Sequence, residues 1–206
     1  MLAVCLWLGF SMMSGAGSKR GVTVHERPDH VLIRWSGAVD TNMTRALDRA
    51  FRDRRGDRRR IVLSLHSDGG LVSEGAVIIE RIKQLRRTHS VDTLVEQGRH
   101  CASMCVPIFV TGENRTAHPT GRFMFHSVRI SGASPFVRTS TAHVRRIEER
   151  ATEDLFDDHL RAAGVNERWL ESLRTTMGRA DVWFSGKELH EQRVGVIDEL
   201  MSTGAR

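Results

Sequence analysis

Ile61-Val62-Leu63-Ser64-Leu65-His66-Ser67-Asp68-Gly69-Gly70 is the stretch on which the fold turns. Its first five residues are almost all apolar, and they predict a short strand of the kind buried on both faces of a parallel sheet. The polar turn that follows closes on two glycines. With no side chain to block approach, they can offer bare main-chain N–H groups at a strand end. Ala76, Ile79, Ile82 and Leu85 then recur at helical spacing and predict a helix over 73–86. A second strand is expected at 91–95, stopped by Gly98. Strand, helix, strand is the crossover unit of parallel β structure.

The same alternation extends in both directions. Upstream, 31–35 reads as a strand ending at Ser36-Gly37, and Asp40 or Thr41 caps a helix to about residue 52 with Met43, Leu47, Ala50 and Phe51 on one face. The charged run 52–60 reads as a solvated connection. Downstream, 101–111 reads as a helix whose Pro107 is best tolerated in a first turn, which places its start near Ser103. Residues 121–126 form a strand that delivers His126 at its end, and 127–139 a loop or lid. A long amphipathic helix is expected over 140–163, ended by Gly164, with a further helix over 167–173. A segment at 181–184, a Ser185-capped helix over 186–193 and the apolar 194–198 complete an α/β pattern.

The 206 residues are 40% apolar and 27% charged, which suits one globular domain with a substantial core. The net charge is +6, and only Lys19, Lys83 and Lys187 are lysines, the other 28 cations being arginine. No aromatic residues interleave with the basic ones in a stripe, so the charge reads as a solvated surface and a nucleic-acid partner is not expected. Residues 2–13 (LAVCLWLGFSMM) are apolar and lead into small residues and Lys19-Arg20. A run of about a dozen is short for a membrane span, which needs ~20 residues. It has the length of a secretory core, so 1–17 is expected to be a signal peptide and 18–206 the mature domain. An uncleaved anchor and a buried N-terminal element are the alternatives. Export places the chain in the periplasm or outside the cell.

Of three cysteines, Cys5 lies in the leader, while Cys101 and Cys105 bracket Ser103. In an oxidising compartment that pair can join, although a spacing of four on a regular helix is awkward for a disulfide. Two cysteines without suitably spaced histidines argue against a metal site, and no cofactor is expected.

Acyl transfer by serine requires a hydroxyl, a base within reach, a group that orients the base, and N–H donors for the oxyanion. The chain supplies Gly69-Gly70 after one strand, Ser103 at a helix start after the next, and His126 at the end of another. Each is commonplace alone: a turn, a cap, a satisfied polar residue.

Their order resembles that of the proteolytic subunit of Clp protease, in the wider crotonase-like superfamily. Leu63 to Gly70 is similar to that family's strand followed by Ser-Pro-Gly-Gly, with Asp68 in place of proline. Gly98-Arg99-His100-Cys101-Ala102-Ser103-Met104 resembles its nucleophile turn, and Arg122-Phe123-Met124-Phe125-His126 its histidine strand. Phe184 to Glu188 and Gly195 to Asp198 resemble its closing motifs. The likeness runs from about residue 31 to 200. It implies a spiral of repeated β-β-α units with parallel strands and a long helical handle at about 140–163.

By position, the resemblance implies Ser103 as nucleophile and His126 as base, with the Gly70 and Met104 N–H groups as oxyanion hole. Asp181 takes the place of the orienting acid, and Asp68, Glu171 and Asp198 are its substitutes. The cysteines flanking Ser103 resemble Clp-like proteins predicted to be periplasmic, in which a disulfide would clamp the nucleophile turn. An exported chain has no ATP or unfoldase at hand, so no ATPase partner is expected. The resemblance implies an ATP-independent hydrolase, a peptidase acting on polypeptide, in a homo-oligomer. A catalytically inactive binding protein on the same fold is the alternative, and acyl-CoA chemistry a third reading.

Overall fold

The computed structural model of the chain describes residues 21–54, 56–129, 141–154, 158–177 and 180–202. The expected leader, most of the expected loop 127–139 and Ser140 lie outside the described residues.

Strand β1 (Gly21–Glu26) has no counterpart in the sequence reading and pairs antiparallel with β2 (His30–Ser36). The β2 strand runs parallel to β3 (Arg60–His66), with Val31, Ile33 and Trp35 opposite Ile61, Leu63 and Leu65. These six point to one face, and all are buried. Over them lie helix α1 (Thr41–Arg52), through Met43, Leu47, Ala50 and Phe51, and helix α2 (Val72–Leu85), through Ile78, Ile79, Ile82 and Leu85. Asp40 caps α1, accepting a hydrogen bond of 2.8 Å from the Met43 N–H.

The other face of β3 departs from the expected two-sided apolar burial. Val62 there is half-buried and Ser64 is buried. The Ser64 hydroxyl donates to Glu96 at 2.9 Å, and Arg34 on β2 grips the same carboxylate at 2.8 and 3.1 Å. Burial pushes the Glu96 carboxyl up, but these hydrogen bonds outweigh it and hold the group below its ordinary range. This face is therefore crossed by a charged clasp that no residue pattern along a single strand could reveal.

Strand β4 (Val91–Val95) continues the sheet parallel to β3. The chain then alternates between two sheets. Strand β5 (His100–Ala102) starts a second, smaller sheet, and helix α3 (Cys105–Phe109) follows it. Strand β6 (Arg115–Ala117) returns to the first sheet beside β4, and β7 (Arg122–Phe125) joins the second beside β5. Helices α4 (Thr141–Thr152), α5 (Asp158–Ala162) and α6 (Glu167–Met177) come next. Strand β8 (Val182–Ser185), helix α7 (Gly186–Glu191) and strand β9 (Glu199–Leu200) end the fold. The first sheet has the order β1-β2-β3-β4-β6-β9 and the second β5-β7-β8. All pairings of the first sheet after β1–β2 are parallel. This is a mixed α/β fold of the expected spiral kind.

One expectation is corrected here. The segment 101–111 is not one helix, because its first residues pair as a strand with β7 and only Cys105–Phe109 is helical. Pro107 is the third residue of that short helix, where its missing N–H costs no hydrogen bond. The long helix of 140–163 is described as α4 and α5, with 155–157 between them outside the described residues. Gly164 ends α5 at φ 81°, with Val165 N–H donating to the Leu160 carbonyl. Ser185 caps α7 as expected, in a reciprocal box with Glu188.

Because Glu96 closes the clasp, Glu96→Ala leaves the Ser64 hydroxyl and the Arg34 guanidinium without their acceptor. The expected loss is about 1–3 kcal/mol. Urea unfolding would measure it, and a loss no larger than that of Glu113→Ala on the exposed surface would discount the clasp.

Candidate functional site

The site forms where the two sheets meet. Past the end of β3, Ser67 makes a parallel bridge to Cys101: its N–H donates to the His100 carbonyl and its carbonyl accepts from the Ala102 N–H, both at 2.9 Å. This joint lays the 67–71 segment across the end of β5. Gly69 sits so tightly there that a Cβ would fall 2.6 Å from the Ser103 Cβ and 2.7 Å from the Ala102 carbonyl oxygen. A Cβ on Gly70 would lie 2.3 Å from the Val39 carbonyl oxygen. No side chain fits at either position, which explains the glycine pair more fully than the turn alone.

Val39 donates to the Gly69 carbonyl and accepts from the Leu71 N–H, each at 2.8 Å. In a parallel bridge of this kind, the residue between the two partners turns its own N–H and C=O the other way. Among the described residues, neither the Gly70 N–H nor the Met104 N–H meets an acceptor.

Ser103 stands between β5 and α3 with φ 53°, in the left-handed region. Among the described residues only Arg193 shares that feature without being glycine. The conformation costs about 1–2 kcal/mol for a residue with a Cβ. It is held by the Ser103 N–H donating to the Met124 carbonyl and the Val106 N–H donating to the Ser103 carbonyl, both at 2.9 Å. A sharp strand-to-helix turn of this sort lifts a hydroxyl clear of its neighbours. Cys101 and Cys105 are joined by a disulfide, with Cα atoms 5.2 Å apart. The expected difficulty of a helix-borne pair does not arise, since Cys101 is in a strand and Cys105 opens the helix.

His126 follows the end of β7, the strand that pairs with β5 in the register Ala102 opposite Met124. The nucleophile turn and the histidine thus leave neighbouring parallel strands at the same end. The His126 Nδ1 lies 2.6 Å from the Ser127 carbonyl oxygen. A carbonyl can only accept, so this contact places a proton on Nδ1, and in the neutral imidazole the lone pair is then on Nε2. That is the form a base requires.

Asp181 precedes β8, which pairs antiparallel with β7 through Phe125 opposite Val182. His126 and Asp181 therefore leave the last rung side by side. The Asp181 carboxylate itself is taken by Arg129, at 3.1 Å, both side chains being about half exposed. The substitutes are engaged elsewhere or remote from the histidine strand. Asp68 bonds His100 at 2.7 Å, Asp198 holds Arg115 at 2.9 Å, and Glu171 is exposed on α6.

Arg129 has no distinguishing mark in the sequence. Nor do His66 and His100, whose rings meet edge to face at 4.4 Å beside the Ser67 joint. Only the parallel register brings them together. The His66 Nδ1 accepts from the His100 N–H at 3.3 Å, so that nitrogen carries no proton. Arg122 lies over the Trp183 ring, 4.5 Å from its centre, on the outer face of the small sheet, and Trp183 in turn faces His100.

Among the described residues no cluster of three or more histidine, cysteine or acidic side chains is placed to hold a metal ion, and no helix is long and apolar enough to cross a membrane. A family model, described as Clp protease, matches residues 31–204. No curated protein matches the chain.

Burial, and then the His100 and Arg99 charges, push the His66 imidazole below its ordinary value, and Asp68 opposes them only in part. The unfolded chain then binds more protons than the folded one, so stability is intact above about pH 6.5 and is lost as the pH falls through the folded value. His66→Asn keeps an acceptor for the His100 N–H and cannot titrate. It is expected to flatten the fall in Tm below about pH 6.5, leaving the part due to His159, which burial also holds low. A slope identical to that of the unaltered protein would remove His66 from this account.

Proposed function

The chain belongs to the Clp protease family, and on that premise we propose that it is an ATP-independent serine hydrolase that cuts polypeptide. Ser103 is the nucleophile, His126 the base, and the Gly70 and Met104 N–H groups the oxyanion donors. The observation that carries the reading is the Ser103 turn. Ser103 is held in the left-handed region and pressed against Gly69, and among the described residues the neighbouring Gly70 and Met104 N–H groups meet no acceptor, a strained backbone of the kind that clusters at functional sites.

On this reading the steps are those of serine acyl transfer. The His126 Nε2 takes the Ser103 proton as Oγ attacks the scissile carbonyl, whose oxygen becomes an anion facing the Gly70 and Met104 N–H groups. His126 then gives that proton to the leaving amine as the C–N bond breaks. Water repeats the sequence on the acyl-enzyme, releasing the acid and restoring the Ser103 hydroxyl. An extended substrate can pair with the Gly70 main chain on the side turned away from Val39. Asp181, next to His126 at the end of the β7–β8 ladder, orients the imidazole once its carboxylate leaves Arg129 and the Nδ1–H leaves the Ser127 carbonyl.

That last condition gives the second reading its support. With Asp181 on Arg129 and Nδ1 on a carbonyl, the same fold serves as a binding protein without turnover. Export remains part of the proposal, resting on the apolar leader over 1–17 and on a disulfide, which persists in oxidising compartments. Self-association is proposed as well. Family members assemble into oligomers, and α4 carries Ile147 at 44% exposure on a helix otherwise rich in charge.

A fluorophosphonate probe tests the chemistry. Ser103 is expected to label, Ser103→Ala to abolish labelling, and His126→Ala to slow it by about 10²–10⁴-fold. Asp181→Asn should slow it more than Asp68→Asn does. Absence of labelling in the intact protein would favour the binding reading. Sedimentation of the mature chain should show a species larger than a monomer, and a monomer alone at all concentrations would overturn self-association.

A further inference from the structure

The Cys101–Cys105 disulfide closes a loop of only a few residues, and Ser103 is at its centre. A cross-link over so short a span removes little freedom from the unfolded chain, because loop-closure entropy grows with loop length. Its effect on global stability is therefore smaller than that of a bond closing a long loop. What it does constrain is the native geometry between the last rung of β5 and the first residue of α3. That interval contains Ser103 and Met104 and nothing else.

Several observations locate the constraint. Ser103 occupies a backbone region that a residue with a Cβ adopts only when its surroundings compel it. Two hydrogen bonds help, from the Ser103 N–H to the Met124 carbonyl and from the Val106 N–H to the Ser103 carbonyl. Neither spans the turn from one flank to the other, and the disulfide does. Gly69 lies directly against the Ser103 Cβ, so a relaxing serine would push into the glycine segment that carries the Gly70 N–H. Both cysteines are fully buried, which shields the bond from reductant until the turn opens.

We propose that the Cys101–Cys105 bond is a positioning element for the Ser103 hydroxyl, making the reactivity of the nucleophile conditional on oxidation while leaving the fold intact. The proposal rests on the hydrolase reading for its functional half, and its structural half stands apart from that reading. Reduction breaks the S–S bond. A dithiol supplies two electrons and two protons, becomes a cyclic disulfide, and leaves two thiols at residues 101 and 105. The turn then loses the cross-link between its flanks and Ser103 leaves the left-handed region. Oxidation of the two thiols by an external disulfide reverses the step.

The test compares the oxidised full chain, the same chain after dithiol treatment, and the variant Cys101→Ala with Cys105→Ala. Two rates are read on each: hydrogen exchange at the Ser103 and Val106 amides, and fluorophosphonate labelling of Ser103. Opening the bond is expected to speed exchange at both amides by roughly tenfold or more while amides of β2 and β3 keep their protection. Labelling should slow by about 10²-fold, the scale set by a misplacement near 1 Å, and reoxidation of the dithiol-treated chain should restore it. Equal exchange and equal labelling in all three forms would overturn the proposal and leave the hydrolase reading standing. Faster exchange with no labelling in any form, the oxidised one included, would sustain the clamp and sink the hydrolase. Loss of protection throughout β2 and β3 would show the bond to be structural and would likewise overturn the proposal. Should the double variant fail to fold, the dithiol-treated chain and its reoxidation decide the matter alone.

Discussion

Two hydrogen bonds made by the main chain of Ser67 hold the candidate site together. One runs from its N–H to the His100 carbonyl and the other from the Ala102 N–H to its carbonyl. They are the means by which the large parallel sheet meets the small sheet at the level of Ser103. The Gly70 N–H and the hydroxyl come from opposite sides of this seam, Gly70 following β3 and Ser103 following β5. Their spacing is set by an inter-sheet joint and not within any single element. Such a joint works only if the segments can close to van der Waals distance, hence two positions where even a methyl group would collide with backbone.

The seam also accounts for a local energetic imbalance. Ser103 pays for its left-handed backbone with roughly 1–2 kcal/mol, and the stacked sheets must supply the compensation. They do so through the six apolar residues shared by β2 and β3 and the two helices above them, whose side chains are almost wholly removed from water. A rigid base under a strained turn is what preorganised chemistry requires, since a loose one would relax before a substrate arrived.

Much of this architecture can be read from the chain. The strand at 61–65, the helix from about 73, the Asp40 cap and the Ser185 cap all follow from local pattern and local hydrogen bonding, and each lies where that pattern puts it. The failures share a cause. Strand β5 has three residues and β6 another three, too short to show a period, and they exist because neighbouring strands hold them. Cysteines 101 and 105 look ill-placed only if both are put on one helix. The Arg34–Glu96–Ser64 clasp joins residues up to 62 apart, and the His66–His100 contact depends on register, so neither leaves a local trace. Of the candidate site, the order glycine pair, serine, histidine is visible in the sequence. The direction in which Asp181 points is not, because it depends on a single arginine 52 positions away.

That arginine gives the site a sensitivity unlike those of its other parts. Arg129 and Asp181 face each other with about half of each side chain in solvent, where an ion pair is worth no more than about 1 kcal/mol. Dissolved ions screen such charges within about 8 Å at 0.15 M. An acid so lightly tethered answers to the saltiness of the medium, and brine shifts it away from the guanidinium. On the proposed reading, the electrolyte around the molecule is thereby a control on how often the imidazole has a carboxylate behind it.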